Sequence, residues 1–183
     1  MPRLPAGDSS QVGITVPTTA AVKSRIAPRL LYVVSEDWAF LSHRLPMARA
    51  ARAAGFEVHV ATRVGADGET IRALGFTVHP IPFHRGGLSP VAAQATIRAL
   101  RSVERQIRPA MVHHSGLQAC IFGGLAALGR GLPQVNALTG LGYAFTGDPR
   151  RAGTMRRLLS ARLRFLRNRP DSRTLVQNPD DWT

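Results

Sequence analysis

Three short stretches of this chain hold residues whose types and spacing could do chemistry. "MVHHSGLQ" places His113 and His114 side by side. "VVSEDWAFLSH" carries the acid pair Glu36 and Asp37 beside Trp38, Ser42 and His43, and "LTGLGYAFTGD" carries Gly140 and Gly142. A histidine at a cleft can move a proton or bond a substrate, and a carboxylate can act as base or hold an acceptor hydroxyl. Glycines let backbone N–H groups approach an anion. Each feature also has a plain structural reading. One histidine can pack or bond to backbone, acids suit a helix start, and the glycines can form a tight connection around Tyr143 and Phe145. Neighbouring residues on a strand point to opposite faces, so His113 and His114 are not expected to share a metal. The chain has no H-E-x-x-H, P-loop, G-x-S-x-G or Cys/His zinc spacing, and no metal site is expected. Cys120, the single cysteine, lies in an apolar stretch and reads as a packed thiol.

The surrounding pattern must position these groups. Strands are expected at Arg29–Ser35, Phe56–Thr62, Phe76–Pro82, Ala110–His114, Leu132–Leu138 and Arg173–Gln177. Helices are expected at Ser42–Ala54, Ala66–Leu74, Pro90–Ile107, Leu117–Leu128 and Arg151–Arg167. Pro46 requires the first of these to begin near Arg44 or to kink there. Strands spaced by single helices predict an α/β fold, a doubly wound parallel sheet with helices on both faces. Ligands then meet the carboxyl ends of the strands, at 35–43, 62–65, 83–89, 113–118 and 139–146. Ser35 to Trp38 contain no glycine where a dinucleotide site would carry G-x-G-x-x-G, which argues against a nicotinamide enzyme.

The 183 residues suit one ordinary domain with a sizeable core. No apolar run reaches the roughly 18 residues of a membrane span. Residues 1–27 lack the apolar region of a secretory signal and read as a flexible leader. The chain is therefore expected in the cytoplasm or on the cytoplasmic face of a membrane. Its net charge is +13, carried mostly by arginine and crowded between 150 and 173. In the amphipathic helix 151–167, Met155, Leu158, Leu159, Leu163 and Leu166 form the apolar stripe. Arg156 and Arg157 on its basic side are candidates for contact with anionic lipid or phosphate, the alternative being a solvated face. The charge would permit nucleic-acid binding, but interleaved aromatics and reader motifs are absent, so no nucleic-acid partner is expected.

Taken in order, "LLYVVSEDWAFLSHRLPMARAARAAGFEVHVAT", "GFTVHPIPFHRGGLSP", "VHHSGLQ", "VNALTGLGYAFT" and "VQNPDD" resemble the N-terminal, acceptor-side domain of family 4 glycosyltransferases. The resemblance covers residues 29 to about 181 and implies a Rossmann-like domain, 28–181, forming half of a GT-B fold. The branch it resembles extends sugars on a polyprenyl diphosphate carrier. It implies a UDP-sugar donor, no cofactor, a polyprenyl-diphosphate-linked glycan acceptor, and peripheral docking on the inner face of the cytoplasmic membrane in polysaccharide biosynthesis.

By this resemblance His113 lies beside the transferred sugar as the catalytic candidate. Glu36, Trp38, Ser42 and His43 correspond to the first loop, near acceptor and donor phosphates, and Gly140 and Gly142 to the loop after the fifth strand. Trp38 could stack on a sugar, seat against the lipid-facing edge, or simply pack. Gln118 stands where relatives of this branch usually carry lysine. The family's donor-binding glutamate pair, bracketing seven residues, has no counterpart, since Glu36, Glu57, Glu69 and Glu104 are the only glutamates. The expectation is a truncated or split transferase lacking its donor-binding C-terminal domain, inactive alone, with a separate donor-binding domain as a candidate partner. The alternative is a non-catalytic membrane- or glycan-binding remnant.

Overall fold

The structure, a computed structural model, describes residues 27–84, 89–138 and 170–176. Its strands are β1 (Arg29–Glu36), β2 (Glu57–Arg63), β3 (Thr77–Pro80), β4 (Met111–Ser115), β5 (Gln134–Leu138) and β6 (Ser172–Val176). Its helices are α1 (Asp37–His43), α2 (Leu45–Ala53), α3 (Gly68–Ala73), α4 (Pro90–Ile107) and α5 (Leu117–Ala126). All strand pairs are parallel, in the order β3-β2-β1-β4-β5-β6. The order reverses between β1 and β4, the switch point outside which such sheets bind ligands. The helix expected at 151–167 lies outside the described residues.

The period of two along β1 divides the core. Leu31 and Val33 join Val112 under α4 and α5, with Leu100, Ile107, Ala119 and Phe122. Leu30, Tyr32 and Val34 face the other way and pack with Phe40, Ala48, Ile71 and Phe76 from the α1–α3 side. Burying such aliphatic and aromatic side chains contributes about 1.5–3 kcal/mol each. Both faces of the central strands are apolar because both are covered.

The first helix departs from its expected bounds. No turn separates β1 from α1, and the helix starts at Asp37, five residues earlier than expected. The Asp37 side chain explains this. Its carboxylate accepts the backbone N–H groups of Trp38 at 2.9 Å, Gly65 at 2.5 Å and Asp67 at 3.1 Å. One acid thereby satisfies an orphan donor of the helix start and clamps the β2–α3 connection. The segment breaks at Arg44, whose φ of −119° leaves the helical range, and Pro46 occupies the first turn of α2. Proline is harmless there because that N–H has no helical acceptor.

Candidate functional site at the carboxyl edge of the sheet

Period two separates the paired histidines. His114 joins the α5 face. Its Nδ1 lies 2.8 Å from Asn136 Oδ1, and Asn136 Nδ2 donates to Ser172 Oγ at 2.8 Å. This geometry places the proton on Nδ1 as donor to Asn136. The chain of bonds ties β4, β5 and β6 together beneath α5. Gly123 of α5 lies directly over the ring: a Cβ there would come within 2.2 Å of His114 Nε2. Complete burial drives the His114 pKa down to about 4, so the ring is neutral at pH 7.

His113 joins the opposite face. Its ring lies 5.1 Å from that of Tyr32, its register partner on β1. Both ring nitrogens are sealed from solvent and have no hydrogen-bond partner among the described residues. Burial first, and the Arg44 charge second, hold its pKa down at about 4. Below the Ser115 end of β4, His113 is therefore neutral.

Arg44 reaches this region from the break between α1 and α2. Its Nε donates to Ser115 Oγ at 2.7 Å. The residue is only 9% exposed. Its two terminal nitrogens have no protein acceptor among the described residues, yet neither is sealed from solvent. Among the described residues no carboxylate pairs with it. Burial lowers its pKa, and the field of Arg44 partly offsets the rise that burial imposes on Tyr32.

The remaining expected site residues lie on β1 and α1. Glu36 ends β1 in an ion pair with Arg63 of β2. Trp38 is about half exposed, at 47%, and meets His43 edge-on with ring centroids 6.2 Å apart. Ser42 and His43 are exposed on the same short helix. Asp37, a carboxylate whose type suited acid–base work, is instead occupied by the backbone N–H groups it accepts. Gly140, Gly142, Arg156 and Arg157 lie outside the described residues.

Two connections shape the rest of the edge. Gly116 has φ +87°, a conformation glycine adopts freely, and its N–H donates to Ala137 O at 3.0 Å, leading β4 into α5. Gln118 Nε2 donates to His84 O at 3.2 Å, bracing α5 against the segment after β3. Cys120 is buried and its thiol is pushed up to about 12 by burial, so it is the packed thiol its context implied. Among the described residues no group of three or more His, Cys, Asp or Glu could hold a metal.

Arg44 and Ser115 were not among the expected site residues. The signal for Arg44 was present. It falls four residues after Phe40 and four before Ala48, both fully buried, so it interrupts the inward stripe with a charge.

A six-stranded parallel sheet covered by helices on both faces, with its ligand edge at the β1–β4 switch point, defines a Rossmann-like α/β domain. The sequence matches the family described as Glycosyl transferase 4-like over residues 29–168, and the chain belongs to that family. No curated protein matches it. Among solved structures it is similar to MurG of Acinetobacter baumannii, with 15% identity and a TM-score of 0.58 over 84% of this chain and 42% of that one. Sucrose-phosphate synthase from Thermosynechococcus elongatus aligns with 11% identity and a TM-score of 0.56 over 81% and 47%. A UDP-N-acetylglucosamine 2-epimerase aligns with 15% identity and a TM-score of 0.52 over 74% and 40%. The chain thus spans less than half the length of each, and likeness at these identities establishes the fold.

Proposed function

We propose that this domain is the acceptor-side half of a glycosyltransferase. In this reading a hexose or N-acetylhexosamine passes from a UDP-sugar to a polyprenyl-diphosphate-linked glycan, as part of polysaccharide assembly. The observation that carries it is the Glycosyl transferase 4-like match over 29–168. The edge geometry supports it. An exposed tryptophan suits the apolar face of a sugar ring, and a cationic side chain at the switch point suits a phosphorylated substrate. The donor nucleotide would be held mainly by a second domain, with the edge of this one facing it, so transfer needs both halves in contact. A peripheral position on the inner face of the cytoplasmic membrane, through Arg156 and Arg157, belongs to the same proposal.

The test combines the purified chain with a donor-binding domain, a radiolabelled UDP-sugar and a polyprenyl-diphosphate glycan. Label appearing in the lipid fraction only with both proteins present is the expected result. No transfer with both halves folded, across several donors and acceptors, contradicts it.

A further inference from the structure

Arg44 is a buried cation whose neighbours among the described residues offer it no counter-charge. His113 is neutral at pH 7, Tyr32 is a phenol held protonated by burial, and Cys120 is a protonated thiol. The acids closest in sequence are occupied elsewhere. Glu36 pairs with Arg63, and Asp37 accepts the backbone N–H groups of Gly65 and Asp67. Desolvating a charge without a partner is costly, and a protein interior normally excludes such a group or pairs it. Here the guanidinium is held in one orientation by Ser115, with its two terminal nitrogens left open. Ser115 Oγ accepts from Arg44, so its own O–H remains free to donate. Three donors on Arg44 and Ser115 therefore converge at the carboxyl edge between β1 and β4, at the switch point of the sheet.

We propose that Arg44 and Ser115 form an anion subsite that takes the phosphate or diphosphate group of a phosphorylated substrate. The planar fork of an arginine matches two phosphate oxygens, and a fork already fixed by packing loses little freedom when it binds. The Ser115 hydroxyl supplies the third bond. The inference rests on the transferase reading for the identity of the substrate, and on the geometry alone for the presence of an anion. Two sources share this chemistry, a nucleotide diphosphate donor and a lipid-linked diphosphate acceptor.

Calorimetric titration of the whole chain tests the proposal, with inorganic pyrophosphate, UDP and geranyl diphosphate as probes. Because the protein is strongly basic, Arg49→Gln, an exposed site on α2, controls for net charge. Arg44→Gln should weaken pyrophosphate binding about tenfold or more, the loss expected when a charged hydrogen-bonding partner is removed. Ser115→Ala should weaken it a few-fold, and Arg49→Gln should leave it within about twofold, as a rim charge does. Tighter binding of UDP than of geranyl diphosphate assigns the subsite to the donor, and the reverse assigns it to the acceptor. Circular dichroism checks folding, and Arg44→Met replaces Arg44→Gln if the latter does not fold. Equal affinity in the Arg44 and Arg49 variants overturns the proposal, as does absence of pyrophosphate binding up to the order of 10 mM, a free energy below about 3 kcal/mol. A chain that binds through Arg44 but never supports sugar transfer leaves the subsite and removes the transferase reading. Sugar transfer undiminished in Arg44→Gln does the opposite.

Discussion

The two faces of β4 put the same residue type to different uses. His114 and His113 are neighbours, both buried and both held to a pKa of about 4. On the α5 side, His114 is fixed by Asn136, which is fixed by Ser172, and Gly123 closes over it. Every contact there serves strand–strand and helix–sheet packing. On the α1–α2 side, His113 has two unbonded nitrogens, and the cation near it has two unbonded donors. The difference lies in access: His114 is anchored through Nδ1 and its one unbonded nitrogen, Nε2, is closed under Gly123, whereas the terminal nitrogens of Arg44 at the switch point are not sealed and a ligand can complete their bonding.

Substitutions should separate the faces. The largest effect is expected from Gly123→Ala. The new methyl group meets a ring that is buried and tethered, so overpacking should cost about 3 kcal/mol or abolish folding. Chemical denaturation measures this, and a cost under about 1 kcal/mol would show that the His114 face is looser than its geometry implies.

Acid should come next. Folded, both histidines titrate near 4; unfolded, they titrate near 6.5. Between those values the unfolded chain binds more protons, so stability is fully present above 6.5 and is lost as pH falls toward 4. Glu104 acts in the opposite sense. It is fully buried on α4 with Arg130 at 3.7 Å, and burial raises its pKa from 4.5 to about 7. Its contribution is present below 4.5 and is lost as pH rises through 7. His59 and His79, their pKa values also lowered by burial, act in the same sense as His113 and His114, so from pH 4.5 to 6.5 unfolding should take up protons on the histidines, less about one released by Glu104.

Arg44→Met follows, with a split outcome. Pyrophosphate affinity should fall about tenfold while stability holds or rises by about 1 kcal/mol, because an unpaired buried charge is replaced by an apolar chain. A matching loss of stability would make Arg44 a structural residue and erase the contrast between the faces. Glu104→Gln should have the smallest effect. It removes the opposing proton, steepens the acid dependence, and gains on the wild type as pH rises from 4.5 to 7. A difference between the two proteins that does not vary with pH would contradict the assignment.

The sheet was legible because its central strands are buried on both faces and its helices carry clear stops. Pro90 at the first position of α4 and Gly55 after α2 set bounds that the structure keeps to within about two residues. The division of His113 from His114 was legible from period two alone. The start of α1 was not, because it depends on a long-range clamp. Asp37 meets Gly65 and Asp67 across nearly thirty residues, and local pattern shows only an acid near a helix. Arg44 and Glu104 were missed for a related reason. Each occupies an inward position of an otherwise apolar stripe, Arg44 between Phe40 and Ala48, Glu104 between Leu100 and Ile107. Composition gives such residues to the surface, and only the helical period places them inside.

The contrast between the two faces is tested most directly by resolving both histidine rings by NMR while pH is varied, with and without pyrophosphate. An anion held by Arg44 and Ser115 offsets the guanidinium charge that helps keep His113 neutral, so the titration midpoint of His113 should rise while that of His114 stays in place. Equal shifts at both rings, or none at His113 with pyrophosphate bound, would contradict the account.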